Sequence, residues 1–221
     1  MPKKPTGQQG FYRIEVQADG ASTGTFMREF LGHEKEQIES AVADKFVEAW
    51  AANGVSVRAL PSRKENDLDF TLETSRGSVK LELTELVFPS ATKGSPYRKG
   101  EAFTYTFGEA ADRLIATIAH KAKHYTVGRQ PIHLLIYTTH EVFAPVEGVI
   151  RLVQYRLEKG VLEHPFENIF FLEDLPDGPR VRCLYPVPAQ YVEGLDPTTE
   201  EAREYIRMAP DGWTLITSAN N

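Results

Sequence analysis

Apolar and polar residues recur along this chain with the two-residue period of strands and the roughly 3.6-residue period of helices, and their order lays out an architecture. Residues 11–17 alternate as a strand, 18–24 turn, and 25–31 return as a second strand, predicting an N-terminal hairpin. Ile38, Val42, Phe46, Ala49 and Trp50 recur at helical spacing within 33–53, and Asn53-Gly54 ends the run. Strands are predicted at 55–60, 67–73 and 78–87, followed by a Gly-, Pro- and Ser-rich loop at 89–100. An amphipathic helix over 108–125 then leads to an apolar strand at 132–137 and a second amphipathic helix over 146–157. Further strands read at 168–172 and 181–184, a short helix at 198–208, and a last strand or extended tail at 213–217. Strands interleaved with helices predict an α/β fold with a mixed central sheet flanked by helices. The expected organisation is one domain over 1–221: a hairpin appendage at 1–31, a core at 34–140, and a C-terminal helix and strand extension at 141–221.

Composition narrows the class. At 221 residues, 41% hydrophobic and 25% charged, the chain can bury a core without staples. Its single cysteine, Cys183, has no partner for an internal disulfide, which fits a reducing, cytoplasmic compartment. Residues 1–10 have no apolar segment of the kind a secretory signal needs, and no stretch is long enough to span a membrane. A net charge of −6 gives no overall basic surface, so nucleic acid would have to meet a local basic patch or divalent ions.

Chemistry concentrates in the 67–87 hairpin. Asp67, Asp69, Thr71 and Glu73 share one face of its first strand, and Ser78, Lys80, Glu82 and Thr84 share one face of its second. A turn of two or four residues around Ser75-Arg76 pairs positions whose numbers sum to 151, setting Asp69 opposite Glu82, Thr71 opposite Lys80 and Asp67 opposite Thr84. Directly opposed side chains lie about 4.5–5.5 Å apart at Cβ. Two carboxylates that close repel unless a cation stands between them, and either Lys80 or a divalent metal fits. The alternative is a solvated polar face on an amphipathic hairpin.

These residues resemble the PD-(D/E)xK nuclease superfamily, the restriction-endonuclease-like fold. The matching text is Asn66-Asp-Leu-Asp69-Phe, then Lys80-Leu-Glu82-Leu-Thr84-Glu85, then a helix from Leu114 through Lys121 to Tyr125, then Ile132-His-Leu-Leu-Ile-Tyr137. The resemblance covers about 34–140 and implies a restriction-endonuclease-like core. It further implies Asp69, Glu82 and the backbone carbonyl of Leu83 as ligands of Mg²⁺, with Mn²⁺ as the alternative ion, acting on DNA. Thr84 stands where that family carries its lysine. Lys80, two residues before Glu82, is one replacement. Lys121 is the other, lying about 20° from Leu114 and 40° from Tyr125 on the helical wheel, at the border of the apolar stripe; its alternative role is a snorkelling flank lysine. By helical angle Glu39 falls between Phe46 and Trp50 on the first helix, inside the apolar arc, and matches the place of a helix-borne acid aimed at the metal. A residue favoured by the helix dipole is its alternative. Glu73 and Glu85 are weaker candidates, Glu85 pointing away from Glu82.

Other patterns carry less. His120 and His124 have metal-compatible spacing but lie opposite the apolar stripe with no third ligand nearby in sequence. His133 and His140 flank the apolar strand. Gly-x-Ser-x-Gly and phosphate-binding glycine loops are absent from the sequence. Lys93, Arg98 and Lys99 in the 89–100 loop suit either backbone phosphates or solvent. The expectation is a divergent, divalent-metal-dependent nuclease hydrolysing DNA phosphodiester bonds, with Asp69 and Glu82 binding metal and Lys80 or Lys121 supplying the missing charge. The rival is an inactive nuclease-like fold serving as a binding or assembly module. No membrane partner is expected, and a homo-oligomer is left open.

Overall fold

The strand Ile132–Tyr137 is buried at every position, His133 included, as a largely apolar strand should be when helices cover both faces of its sheet. A computed structural model describes residues 8–18, 21–61, 68–75, 77–87, 102–125, 131–139, 144–208 and 214–216. Its main sheet contains β3 (Val57–Pro61), β4 (Phe70–Thr74), β5 (Gly77–Glu85), β7 (Ile132–Tyr137), β8 (Asn168–Leu175) and β9 (Gly178–Tyr185), in that spatial order. The β5–β7 and β7–β8 pairs are parallel and the others antiparallel, so the sheet is mixed, as predicted.

Two cores result. Leu134, Ile136, Ile169 and Phe171 face α2 (Phe107–Ala122) and α3 (Glu147–Glu158), which supply Leu114, Ile118, Ile150 and Val153. On the other face Leu72, Leu81, Leu83, Leu135 and Phe170 pack on Val42 and Phe46 of α1 (Lys35–Ala52). Helix α2 starts at a capping box: Thr106 Oγ1 accepts from Glu109 N–H at 3.0 Å, and Glu109 Oε2 accepts from Thr106 N–H at 2.9 Å. Arg156 on α3 joins Asp112 on α2 at 2.7 Å and Glu201 at 2.8 Å.

The N-terminal hairpin is present as β1 (Gln8–Val16) and β2 (Ala21–Phe30), with a tighter turn than the 18–24 span. The tail strand β11 (Thr214–Ile216) pairs with β2. One helix expectation fails. The 198–208 stretch is helical only in α4 (Pro197–Glu201); Glu204–Met208 is a strand, β10, antiparallel to β6 (Ala102–Thr106). Strand β6 was not expected, and it supplies the partner that turns 204–208 into a strand. Periodicity within 198–208 carries no trace of a neighbour a hundred residues away. The 89–100 loop, with Lys93, Arg98 and Lys99, lies outside the described residues, as do Asp67 and His140. Among the described residues no helix is long and apolar enough to cross a membrane.

Candidate functional site

The hairpin register agrees with the turn arithmetic: Phe70 pairs with Leu81, Thr71 with Lys80 and Glu73 with Ser78. The ladder stops at Phe70, one position short of Asp69. Asp69 therefore does not lie on a strand opposite Glu82; it caps the end of β4, where its Oδ2 accepts the Leu83 N–H at 2.8 Å. The carboxylate takes the β5 amide that a longer β4 would have bonded. The Leu83 N–H is thus engaged by Asp69.

Glu82 alternates with Leu81 and Leu83, so those two face α1 while Glu82 shares the face of Leu134, its parallel neighbour on β7. That face is covered by α2, leaving Glu82 only 4% exposed. The polar side of the hairpin is therefore covered at its Glu82 end, while Glu73 and Ser78 near the turn are exposed. An isolated carboxylate at that depth would be costly, and the sequence supplies its partner 39 residues on. Lys121, one turn beyond Ile118 on α2, reaches across to Glu82 Oε1 in a close ion pair, with its own side chain still 26% exposed. Lys80 goes elsewhere, its ammonium donating to Thr71 Oγ1 at 3.1 Å along the hairpin.

Glu39 approaches from the α1 face. It precedes Val42 and Phe46 by three and seven positions, so it sits at the N-terminal end of the buried stripe, with its side chain 13% exposed. Burial, then the like charge of Asp69, raises its affinity for a proton above that of an ordinary carboxylate, opposed by Lys35 and Lys121. Lys35 lies 3.2 Å from Glu39 on the first turn of α1 with its side chain 80% exposed. Burial by itself would lower the Lys35 ammonium, but Glu39 and, behind it, Asp69 and Glu82 outweigh that and push it up. Asp69, Glu82, Glu39, Lys121 and Lys35 thus share one electrostatic neighbourhood, assembled from β4, β5, α2 and α1.

Lys35 is a residue the pattern reading passed over, although its spacing from Glu39 was the signal. Glu85 and Tyr137 lie on the opposite face of the sheet from Glu82. They are direct neighbours in the parallel β5–β7 register, on the α1 face. Glu85 accepts a close hydrogen bond from Thr139 Oγ1, and burial raises its carboxyl, with that bond opposing. Glu73 is exposed. His120 on α2 and His124 just past its end are exposed rings 5.2 Å apart. His133 is buried among Trp50 and Phe170, with centroids 6.1 and 5.7 Å away.

Among the described residues no three His, Cys, Asp or Glu side chains converge as a metal cage. A closed, zinc-type centre does not fit this donor set. Asp69 and Glu82 are hard oxygen donors of the type a Mg²⁺-type ion takes, with one Asp69 oxygen engaged by the Leu83 amide and one Glu82 oxygen by Lys121. No family model matches the chain, and no curated protein matches it. Among solved structures it is similar to Pyrococcus furiosus SfsA in complex with Ca²⁺, at 12% identity over 83% of this chain and 95% of that one. The TM-score is 0.27, too slight a likeness to carry a function across.

Proposed function

We propose that this chain is a divergent PD-(D/E)xK-type nuclease that hydrolyses DNA phosphodiester bonds with a divalent cation. Asp69 and Glu82 would hold Mg²⁺ or Mn²⁺, with the Leu83 carbonyl as a third oxygen. The observation that carries the reading is the approach of Lys121 to Glu82 beside Asp69: one basic and two acidic groups from three separate elements, at one end of the β4–β5 pair. When bound, the cation would lower the pKa of a water and stabilise charge on a phosphate oxygen.

The chain's own residues then have defined tasks. Lys121 takes the place left by Thr84, bringing a cation to Glu82 from the helix rather than from the strand. Its partly exposed ammonium is positioned to meet negative charge developing on the phosphate. Lys80, held to Thr71, is the less suited of the two candidate lysines. Glu39, raised by burial and by Asp69, is suited to accept a proton from the attacking water nearer neutral pH than an exposed glutamate would. Lys35, exposed at the rim, is placed to contact backbone phosphate.

The test is a Mn²⁺ titration of the full chain followed by melting temperature, alongside nicking of supercoiled plasmid DNA. The reading requires a Mn²⁺-dependent rise that vanishes in Asp69→Ala and Glu82→Ala, with nicking lost in the same variants. The burial of Glu82 beneath Lys121 favours one rival, an inactive module in which this pair is only a structural bridge. DNA retention without cleavage or any metal response would decide for it.

A further inference from the structure

Glu82 and Lys121 form a close ion pair whose two ends are not buried alike. The Glu82 side chain, fixed on the central strand β5, is 5% exposed, whereas that of Lys121, in the last turn of α2, is 26% exposed. An ammonium on a flexible four-carbon stem can turn to solvent while its helix stays in place. The C-terminal end of a helix also favours a cation, so a withdrawn Lys121 stays in a favourable field. Lys80 is held at Thr71 and Lys35 at Glu39, so Lys121 is the cation that neutralises Glu82. Asp69 accepts the Leu83 N–H at 2.8 Å, the amide immediately after Glu82, so a second carboxylate stands within one peptide unit of the pair. A divalent cation held by Asp69 and Glu82 needs the same carboxylate that Lys121 already occupies.

We propose that Lys121 is a built-in stand-in for the divalent cation: its ammonium neutralises Glu82 in the metal-free protein and gives that carboxylate up when the ion binds. This rests on the metal-site reading above and adds the regulation of that site. The two cations compete, because a second positive charge at Glu82 repels the first. Glu82 is thereby never left buried and uncompensated, a state that would weaken the fold. Metal affinity is held down, because entry of the ion must break a charge-assisted hydrogen bond, an effect of about tenfold. Lys121 is released toward the exposed rim only when the site is loaded, which is when a phosphate needs it.

The experiment titrates Mn²⁺ into wild type, Lys121→Met, Lys35→Met and Asp69→Asn, reading melting temperature and the water-proton relaxation rate of bound Mn²⁺. A second arm treats wild type with an amine-acylating reagent, with and without Mn²⁺, and follows Lys121 by mass spectrometry; it depends on no variant folding. Lys121→Met is expected to melt lower than wild type without metal, to half-saturate at about tenfold less Mn²⁺, and to gain more in melting temperature at saturation. Lys35, 80% exposed, is the control for the general loss of a positive charge, and Lys35→Met should shift half-saturation by less than about threefold. Labelling of Lys121 in wild type should rise severalfold with Mn²⁺. Equal shifts in Lys121→Met and Lys35→Met, or a Lys121→Met variant that binds Mn²⁺ no better than wild type, would overturn the stand-in. So would Lys121 labelling that Mn²⁺ leaves unchanged or lowers. In each of those cases a Mn²⁺ response lost in Asp69→Asn would leave the metal site standing. No Mn²⁺ response in either wild type or Lys121→Met would remove the metal-site reading and this inference with it.

Discussion

Replacing Lys121 by methionine keeps the helix and much of the side-chain volume while leaving the Glu82 carboxylate, 4% exposed, without its cation. Stranding one charge of a fully buried pair costs roughly 3–5 kcal/mol. Because the Lys121 side chain is 26% exposed, water already reaches its end of the pair, and the lower figure of about 3 kcal/mol is appropriate. For a chain of this length that lowers the melting temperature by roughly 6–12 °C. The reverse change should be mild. Glu82→Leu frees a lysine that can turn its ammonium to solvent, costing about 1 kcal/mol or less. Combining both changes should recover most of the Lys121→Met loss, with a coupling energy of about 2 kcal/mol. Urea unfolding of the two single variants and the double variant at neutral pH, repeated in acid where carboxylates protonate, measures all of this. The Lys121→Met loss should shrink in acid. Equal costs for the two single changes, or a Lys121→Met loss below about 1 kcal/mol at neutral pH, would refute the view that burial of Glu82 makes Lys121 obligatory.

Three further outcomes follow from the same geometry. Glu85 is raised by burial, so the folded state binds its proton more tightly than the unfolded state; stability attributable to it falls as pH rises through that window, and Glu85→Gln should melt higher than wild type at neutral pH, with the gain fading below the ordinary glutamate range, as pH-dependent melting would show. His133 is lowered by burial despite Glu167 at 3.9 Å, so the unfolded state binds its proton more readily and stability falls on acidification below the ordinary histidine value; His133→Phe should flatten part of that slope in urea midpoints measured from pH 7 to pH 5. A Cβ on Gly148 would meet Phe107 Cε2 at 2.0 Å, so Gly148→Ala should cost about 1–3 kcal/mol in urea unfolding by forcing α3 off α2, and a neutral result would contradict the packing of those helices.

Much of this was legible along the chain, because some interactions are encoded by spacing alone. The mixed sheet follows from period-two strands between amphipathic helices, and β7 was legible as an apolar strand interrupted only by His133. The hairpin register followed from turn length, while the angle of Lys121 beside Leu114 left open a place over the sheet or a snorkelling flank position, and the fold pairs it with Glu82. Tertiary structure alone decided where β4 stops, and so made Asp69 a cap on the Leu83 amide rather than a strand residue facing Glu82. It also made 204–208 a strand, because β6 offered an edge there. Lys35 joined the site only through the docking of α1. The difference is physical. Alternation and helical angle are local properties that a chain carries with it, whereas burial of a carboxylate, the ending of a ladder and the field between distant charges exist only once separate segments meet.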